Sequence, residues 1–226
     1  SIQKLSIPSS LELLEEGWCS DTPNLIEVEI SPNNKYYKVI DNKYIVHKSD
    51  QKFDDFDILV FANRNIKEIN IPNNIKRIND FCFEKCNKLN KVEISTESSL
   101  ECIGRYSFSK SSIQNITIPS ATKYIEEYAF FECQKLKNVN FFPDSKLQII
   151  GRSAFSLTSI EKVQIPSSVT IIENNSFEKV VNLEVEFLSN SRLKTINYHA
   201  FWGSVKKIII PSSVKNIDEY AFYDCQ

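Results

Sequence analysis

The stretch TIPSATKYIEEYAFFECQKLKNVNF, Thr117 to Phe141, decides the fold because its pattern recurs along the chain. Apolar and polar residues alternate up to Ile118, which predicts a half-buried strand. Pro119 fixes φ and removes an amide donor, so the strand ends there. The run that follows predicts a short helix on the opposite side, which presses Phe130 and Cys133 inward.

The pattern repeats at intervals of 22 to 24 residues, with one exception. The last apolar residue of each strand segment falls at Ile7, Ile30, Ile71, Ile94, Ile118, Phe141, Ile165, Phe187 and Ile210. The steps between them are 23, 41, 23, 24, 23, 24, 22 and 23 residues. One such unit cannot bury its apolar face alone, so we expect about nine stacked units with a continuous core, and roughly 18 inserted residues in the long step.

The unit LxxIxIPxxVxxIxxxAFxxCxxL resembles the BspA-like (Treponema pallidum type) leucine-rich repeat family, and residues 113–136 match it at nearly every position. The resemblance covers essentially the whole chain and implies a single domain over residues 1–226. It implies an α/β-type right-handed solenoid with a curved parallel β-sheet on the concave face and short helices or turns on the convex side. It also implies a β-hairpin insertion at about residues 33–62, whose turn we place at Asp41 and Asn42.

Charge and hydropathy exclude several kinds of partner. The net charge of -2 gives no electrostatic basis for binding nucleic acid or an anionic membrane. No apolar run reaches 18 residues, and the N-terminus has no basic segment followed by an apolar one. Because Met is absent even at position 1 and the last unit has no following coil, we expect a fragment of a longer protein. Such a fragment is expected to be a monomer or a weak dimer through the solenoid ends.

The residues that could carry chemistry do not form a catalytic or metal-binding pattern. Cys82 and Cys86 have ligand-like spacing, but no second pair of ligands follows, so packing is the favoured interpretation. Asp50, Asp54, Asp55 and Asp57 could hold Ca²⁺, but without a loop glycine they fit a solvated acidic turn better. The two histidines have no catalytic partners, and the four glycines never cluster. We therefore expect no enzyme, no cofactor and no metal.

The cysteines fall into two groups. Cys86, Cys133 and Cys225 each lie three residues after the repeated aromatic position, and such units are too far apart for a disulfide. They are expected to be small buried packing residues. Cys19 and Cys102 lie outside this position and are expected to be partly exposed.

Two surfaces are candidates for binding. The outward residues of the strands form a polar face that also fits a merely solvated sheet, and its candidate binding residues are Glu27, Glu29, Glu68, Lys91, Glu93, Lys162, Glu184, Glu186 and Lys207. The segment 33–62 concentrates aromatic residues of the kind found in binding hot spots. About half of them should pack on the neighbouring coil, and the candidates for contact are Tyr37, Tyr44, Phe53 and Phe56.

The family resemblance implies a surface or secreted protein that mediates adhesion to a host cell, to extracellular matrix or to another microbe. Its partner would be a protein ligand, without nucleic acid and without direct membrane contact by this segment. The alternative is an intracellular repeat scaffold for protein assemblies. Asn115 and Asn174 head Asn-x-Ser/Thr triplets and would be glycosylated if a eukaryote secretes the protein.

Overall fold

A computed structural model describes residues 2–142 and 144–225. These residues form β-strands and turns without a helix, so they contain no helix that could cross a membrane. Nine strands, which we call the front strands, share one side: β1 Lys4–Ile7, β2 Glu27–Ile30, β6 Glu68–Ile71, β8 Lys91–Ile94, β10 Asn115–Ile118, β12 Asn138–Phe141, β14 Lys162–Ile165, β16 Leu183–Phe187 and β18 Val205–Ile208. Ten strands form the back sheet: β3 Tyr37–Ile40, β4 Tyr44–His47, β5 Ile58–Ala62, β7 Arg77–Ile78, β9 Cys102–Ile103, β11 Tyr124–Ile125, β13 Ile149–Ile150, β15 Ile171–Ile172, β17 Thr195–Ile196 and β19 Asn216–Ile217.

The front strands lie where the repeat period places them. They pair in parallel as β1 with β2, β6 with β8, and β10, β12, β14, β16 and β18 in order. Eight of the nine end at the predicted apolar residue, and β18 ends at Ile208 instead of Ile210 after a register shift between Leu183 and Glu184. Alternate side chains such as Val139 and Val163 point into the core, so one face of each strand stays in water. Nine turns are stacked as the period predicts, but the expected continuous core is divided: the first two coils pack in a cluster of their own, separate from the main core of the later coils.

A stack of phenylalanine rings runs through this core. Its neighbouring ring centroids are 4.8 to 5.6 Å apart and nearly parallel, and its members are Phe83, Phe108, Phe130, Phe155, Phe177, Phe201 and Phe222. The first six are fully buried. Each ring between Phe83 and Phe222 therefore packs on the coil before and the coil after, which is how short units that could not fold alone stabilise one another.

The expected short helices are absent from the described residues, and the α/β assignment is wrong for the side opposite the front strands. Each phenylalanine lies instead in a turn, which we call the flank turn. Tyr128 and Glu132, two residues before and after Phe130, have left-handed φ values of 56° and 54°. The Phe130 amide donates to the carbonyl oxygen of Ala154 in the next coil, at 2.8 Å. Backbone hydrogen bonds thus run between coils, and the left-handed residues prevent a continuous α-helix. The fold is a β-solenoid.

Residues 33–62 do not form an insertion that stands beside one coil. β3 and β4 pair antiparallel, β4 pairs antiparallel with β5, and β5 continues the back sheet through β7. The turn between β3 and β4 contains Asp41 and Asn42, both with positive φ. Both faces of β4 and β5 are covered, because their residues divide between two clusters, with a register shift between Ile45 and Val46. Ile45, Val60 and Phe61 pack with the first two coils, and Tyr44, Val46 and Leu59 pack with the main core. Burial on both faces explains why the runs YIV and LVFA are continuously apolar.

Arg64 ties the first coil to the main solenoid. Its side chain is buried and donates hydrogen bonds to the carbonyl oxygens of Cys82 (2.7 Å), Phe81 (3.1 Å) and Cys19 (3.1 Å). The guanidinium lies 4.6 Å from the centroid of the Phe61 ring. Carbonyl oxygens from two separate coils thus accept hydrogen bonds from one charged side chain. In the regular coils, backbone amides of the neighbouring coil make such bonds.

All six cysteines are free thiols, and the expectation that Cys19 and Cys102 are partly exposed is wrong. Cys19 is 1% exposed in the N-terminal cluster. Cys102 is covered by an ion pair, in which the Arg77 guanidinium donates two hydrogen bonds to the Glu126 carboxylate. The Cys102 thiol donates a hydrogen bond to the same carboxylate, at 3.2 Å. Cys86 and Cys133 are fully buried, as expected from their repeat position, and Cys225 is half-buried.

Candidate binding site

The candidate residues of the predicted concave face lie on the water side of the front strands, which we call the front face. Eight of them are exposed and one is half-buried: Glu27, Glu29, Glu68, Lys91, Glu93, Lys162, Glu186 and Lys207, and Glu184. The parallel register places opposite charges on neighbouring strands, with Glu68 facing Lys91 and Lys162 facing Glu184. Such cross-strand pairs are favourable, so the front face carries alternating charge at little cost to the fold.

Most of these charges are already paired within the chain. Lys4 Nζ lies 3.0 Å from Glu27 and 2.7 Å from Glu29, and Lys162 Nζ lies 2.7 Å from Glu186. Donating hydrogen bonds to these carboxylates raises the pKa of both lysines, and accepting the bond from Lys4 lowers the pKa of Glu29. All five side chains are about half exposed, so each ion pair contributes little stability. A partner could exchange these pairs for its own charges without disturbing the core.

The front face becomes less polar near its C-terminal strands. A depression of about 540 Å³ lies there, and Ile209 in its lining is 76% exposed. Phe187 and Pro211 also line the depression, while Glu186 and Lys207 supply charge beside them. This is the part of the front face where apolar and charged side chains could contact a partner together.

Of the four aromatic candidates in residues 33–62, two are inaccessible. Tyr37 and Tyr44 are 3% and 6% exposed, and burial raises the pKa of both phenols. The Tyr37 hydroxyl accepts a hydrogen bond from the Leu14 amide at 2.8 Å, so this residue holds the first coil in place. Phe56 is half-buried and packs against the core, whereas Phe53 is 65% exposed. Phe53 is thus the candidate that remains free to contact a partner.

The loop that carries Phe53 is fixed by a buried carboxylate. Asp57 is 1% exposed and accepts hydrogen bonds from the Ser49 amide, the Ser49 hydroxyl and Lys76 Nζ. The other three aspartates contact different groups: Asp50 the Lys52 amide, Asp54 Lys48 Nζ, and Asp55 Asn74 Nδ2. Within residues 2–142 and 144–225, no group of three His, Cys, Asp or Glu side chains could hold a metal ion.

The two predicted glycosylation sites lie in different places. Asn115 is exposed at the start of β10, and its side-chain oxygen accepts a hydrogen bond from Asn138 Nδ2 at 2.6 Å. Asn174 is exposed in a flank turn, but the hydroxyl of Ser176, two residues on, is buried and bonded to backbone carbonyls. A glycan on Asn115 would cover the middle of the front face.

An aromatic cluster that the sequence reasoning missed lies in the last two flank turns. It consists of Tyr198, His199, Trp202, Tyr220 and Tyr223, whose neighbouring ring centroids are 3.8 to 6.5 Å apart. The three tyrosines are 40%, 55% and 54% exposed. The sequence does contain a signal for this cluster. In the last two repeats an aromatic residue lies two positions before the stacked phenylalanine and another lies one position after it.

The thiols and imidazoles serve packing in the described structure. Burial raises the pKa of the Cys133 thiol to about 12 and that of Cys86 to about 11, so both stay protonated at neutral pH and are poor nucleophiles. The His47 ring stacks on Tyr37 with centroids 4.6 Å apart, and its Nδ1 lies 3.0 Å from the carbonyl oxygen of Tyr36. The His199 ring lies 3.8 Å from that of Tyr198 and 4.6 Å from that of Trp202 within the aromatic cluster.

Solved structures share this fold. A leucine-rich repeat protein from Eubacterium ventriosum is 24% identical, with a TM-score of 0.80 over 98% of this chain and 58% of its own. The pneumococcal vaccine antigen PcpA is 20% identical, with a TM-score of 0.61 over 97% of this chain and 52% of its own. The T. pallidum leucine-rich repeat protein is 21% identical, with a TM-score of 0.62 over 86% of this chain and 91% of its own. The chain spans less than two thirds of the first two of these proteins.

A family model gives the assignment. No curated protein matches the chain. The model of the BspA type leucine-rich repeat region matches six copies, over residues 56–184 and 182–226. These residues make up most of the sequence and carry the phenylalanine stack and the regular coils. The chain therefore belongs to the BspA-type leucine-rich repeat family.

Proposed function

We propose that this chain is a non-enzymatic module of a cell-surface or secreted protein that mediates adhesion by binding a protein of a host cell, of extracellular matrix or of another microbe. The observation that carries the proposal is the front face, where alternating charges lie exposed on a rigid parallel array. Leucine-rich repeat proteins generally bind proteins, and one structural neighbour is described as a vaccine antigen. Both points support a surface location and a protein partner.

The proposed contact residues are the front-face charges and Phe53. Complementary charge accelerates association and selects the partner, and it does not require deep burial of either charge. Phe53 supplies an exposed aromatic side chain on a loop that Asp57 holds in place. In the same proposal, residues 1–226 form one repeat domain of a longer protein, and Asn115 and Asn174 are its glycosylation sites.

The non-enzymatic part of the proposal rests on the environment of the reactive groups. The buried thiols are protonated, and both histidines are packed against aromatic rings. Family membership supports it too, because leucine-rich repeat proteins are generally non-enzymatic.

The test labels intact, unpermeabilised cells with an antibody to this chain and measures binding of the purified chain to host cells. Glu186→Lys reverses a front-face charge, and Phe53→Ser removes the exposed ring. Glu97→Lys makes the same charge change at an exposed residue of the turn that follows β8, outside the strands themselves, and serves as the control. We expect Glu186→Lys to weaken binding several-fold and Glu97→Lys to leave it unchanged. Labelling only after permeabilisation would contradict the proposal and favour an intracellular scaffold.

A further inference from the structure

The front strands leave one wide gap, between β2 and β6. No Cα atom of β2 lies within 8 Å of a Cα atom of β6, whereas β8 and β10, which also belong to different sheets, approach within that distance. Paired strands lie about 4.8 Å apart, so β2 and β6 are too far apart to pair with each other. Because β1 precedes the gap and β8 follows it, both open strand edges lie inside the stack and not at its ends.

β2 directs backbone groups into this gap. The N–H and C=O groups of alternate residues in a parallel strand point to opposite neighbours. The Glu27 amide donates to the carbonyl oxygen of Gln3 in the preceding coil, at 3.2 Å, so the N–H and C=O groups of Val28 point towards the gap. The carbonyl oxygens of Gln3 and Gln114 accept amides of the next coil, but no backbone amide of the described chain donates to the carbonyl oxygen of Ile26, the equivalent residue before β2. β2 thus presents a strand edge that can pair with an extended segment.

A depression of about 490 Å³ follows this edge. It is lined by all four residues of β2 and by Ile26 and Val39 among others. Ile26 is 40% exposed, and Val39 is half-buried. Val28 points into the core, while Glu27 and Glu29 point to water. A strand added beside β2 would therefore place alternate side chains over the apolar lining and beside the two carboxylates.

Carboxylates outnumber lysines around the gap. A second depression, of about 250 Å³, lies against β6 beside the β3–β4 turn. The linings of the two depressions together contain five carboxylates and two lysines: Glu27, Glu29, Asp41, Glu68 and Glu93, and Lys43 and Lys91. Lys91 pairs with Glu93, and Lys4 of β1 pairs with the two glutamates of β2. Asp41 and Glu68 form no ion pair with a described residue. A basic side chain in the gap would have carboxylates on both neighbouring strands, which is a favourable cross-strand arrangement.

We infer that the open edge of β2 binds an extended segment of a partner protein by β-strand addition, and that this segment alternates basic and apolar residues. The inference rests on the proposed function, to which it adds the binding mode and the chemistry of the partner. Main-chain hydrogen bonds give such a complex its affinity, and the alternate side chains give it specificity. The added strand would occupy the gap in the front face and pair the backbone groups of β2 that water hydrates in the free chain.

The probe is a capped seven-residue peptide of alternating lysine and valine that begins and ends with lysine, labelled with a dye so that anisotropy reports binding. We expect saturable binding that protects the amides of residues 26–30 from hydrogen exchange. Replacing every lysine of the peptide by glutamate should abolish binding. Two further peptides carry N-methyl groups, one on its three valines and the other on its two internal lysines. Alternate amides of an added strand point to opposite sides, so one of these two peptides should bind about ten-fold more weakly.

The variants Ile26→Ser and Glu68→Lys test the site from the side of the protein. The first removes exposed apolar lining, the second reverses a carboxylate across the gap, and each should weaken peptide binding about three-fold. Matched controls make the same changes elsewhere: Ile171→Ser at a 39% exposed residue of β15, and Glu97→Lys in the turn after β8. Both controls should leave affinity unchanged. Urea unfolding verifies that all four variants are folded.

The inference is overturned if both N-methylated peptides bind as tightly as the parent peptide, because strand addition requires backbone hydrogen bonds. Binding that leaves residues 26–30 unprotected, or that Ile26→Ser and Ile171→Ser weaken equally, would also overturn it. Failure of the proposed function is distinguishable. Labelling restricted to permeabilised cells would contradict a surface location, while the purified chain would still bind the peptide.

Discussion

Replacing Phe130 by alanine tests whether the phenylalanine stack holds the coils together. Phe130 is fully buried, and its ring centroid lies 5.1 Å from those of both Phe108 and Phe155. Truncation of a buried phenylalanine costs about 3 to 5 kcal/mol, because transfer energy is lost and a cavity remains. Coils on both sides keep this cavity from collapsing. We therefore expect Phe130→Ala to lower the free energy of unfolding by about 4 kcal/mol.

Phe222 provides the matched control at the same repeat position. It is half-buried and stacks on one ring, that of Phe201, with centroids 5.6 Å apart. Because less surface is removed from water and one stacking contact is lost, Phe222→Ala should cost about 1 to 2 kcal/mol. The same chemical change thus has a different cost at the centre and at the last described coil.

Urea unfolding followed by tryptophan fluorescence measures both variants. With a slope of about 2 kcal/mol per M, Phe130→Ala should lower the urea midpoint by about 2 M and Phe222→Ala by less than about 1 M. Single-tryptophan backgrounds, Trp18→Phe and Trp202→Phe, show whether the two ends unfold separately once a middle interface is weakened. A loss below about 1.5 kcal/mol for Phe130→Ala, or equal losses for the two variants, would refute the reasoning.

Three further changes test other contacts. Gly151→Ala would place Cβ 2.7 to 2.8 Å from backbone atoms of the preceding coil, so we expect a loss of about 2 kcal/mol and a lower Tm by calorimetry. Arg64→Met removes the donor shared by carbonyl oxygens of two coils and should cost about 4 kcal/mol, with a red shift of Trp18 emission in the Trp202→Phe background. Asp57→Asn should cost about 2 kcal/mol at pH 7. Burial opposes ionisation of Asp57, but hydrogen bonds from Ser49 and Lys76 leave its pKa below the ordinary value. The carboxylate therefore stabilises the fold above about pH 4, and urea titrations should show the difference from Asp57→Asn shrinking as pH falls below that value.

The front strands could be predicted because their signal is local and repeated. Each strand has a buried residue at every second position and is followed by a proline or a polar turn. This pattern determines where the strand ends, as at Ile118 before Pro119. The helices were mispredicted because the residue types in the flank turns do not reveal their left-handed backbone conformation. Tyr128 and Glu132 adopt left-handed φ although neither is glycine or asparagine, and contacts with neighbouring coils impose that conformation.

The candidate site was predictable in part for the same reason. Alternation along a strand identifies outward residues such as Glu93, whether or not they bind anything. Tyr37 looked available because one sequence cannot show that β3, β4 and β5 lie between two apolar clusters. The aromatic cluster was missed because Trp202 and Tyr223 become neighbours through the stacking of coils, 21 positions apart in the sequence.

The front-face charges and Phe53, the two kinds of proposed contact, should respond differently to salt. Front-face contacts would replace exposed ion pairs such as that of Lys162 with Glu186, and exposed charges are screened as the Debye length falls from about 10 Å at 0.1 M to about 3 Å at 1 M. A contact through Phe53, which is 65% exposed, buries apolar ring surface, and salt does not screen that contribution. If both contact one partner, high salt should remove the effect of Glu186→Lys while Phe53→Ser still weakens binding. Loss of both effects at high salt would contradict a contribution of the Phe53 ring to the contact.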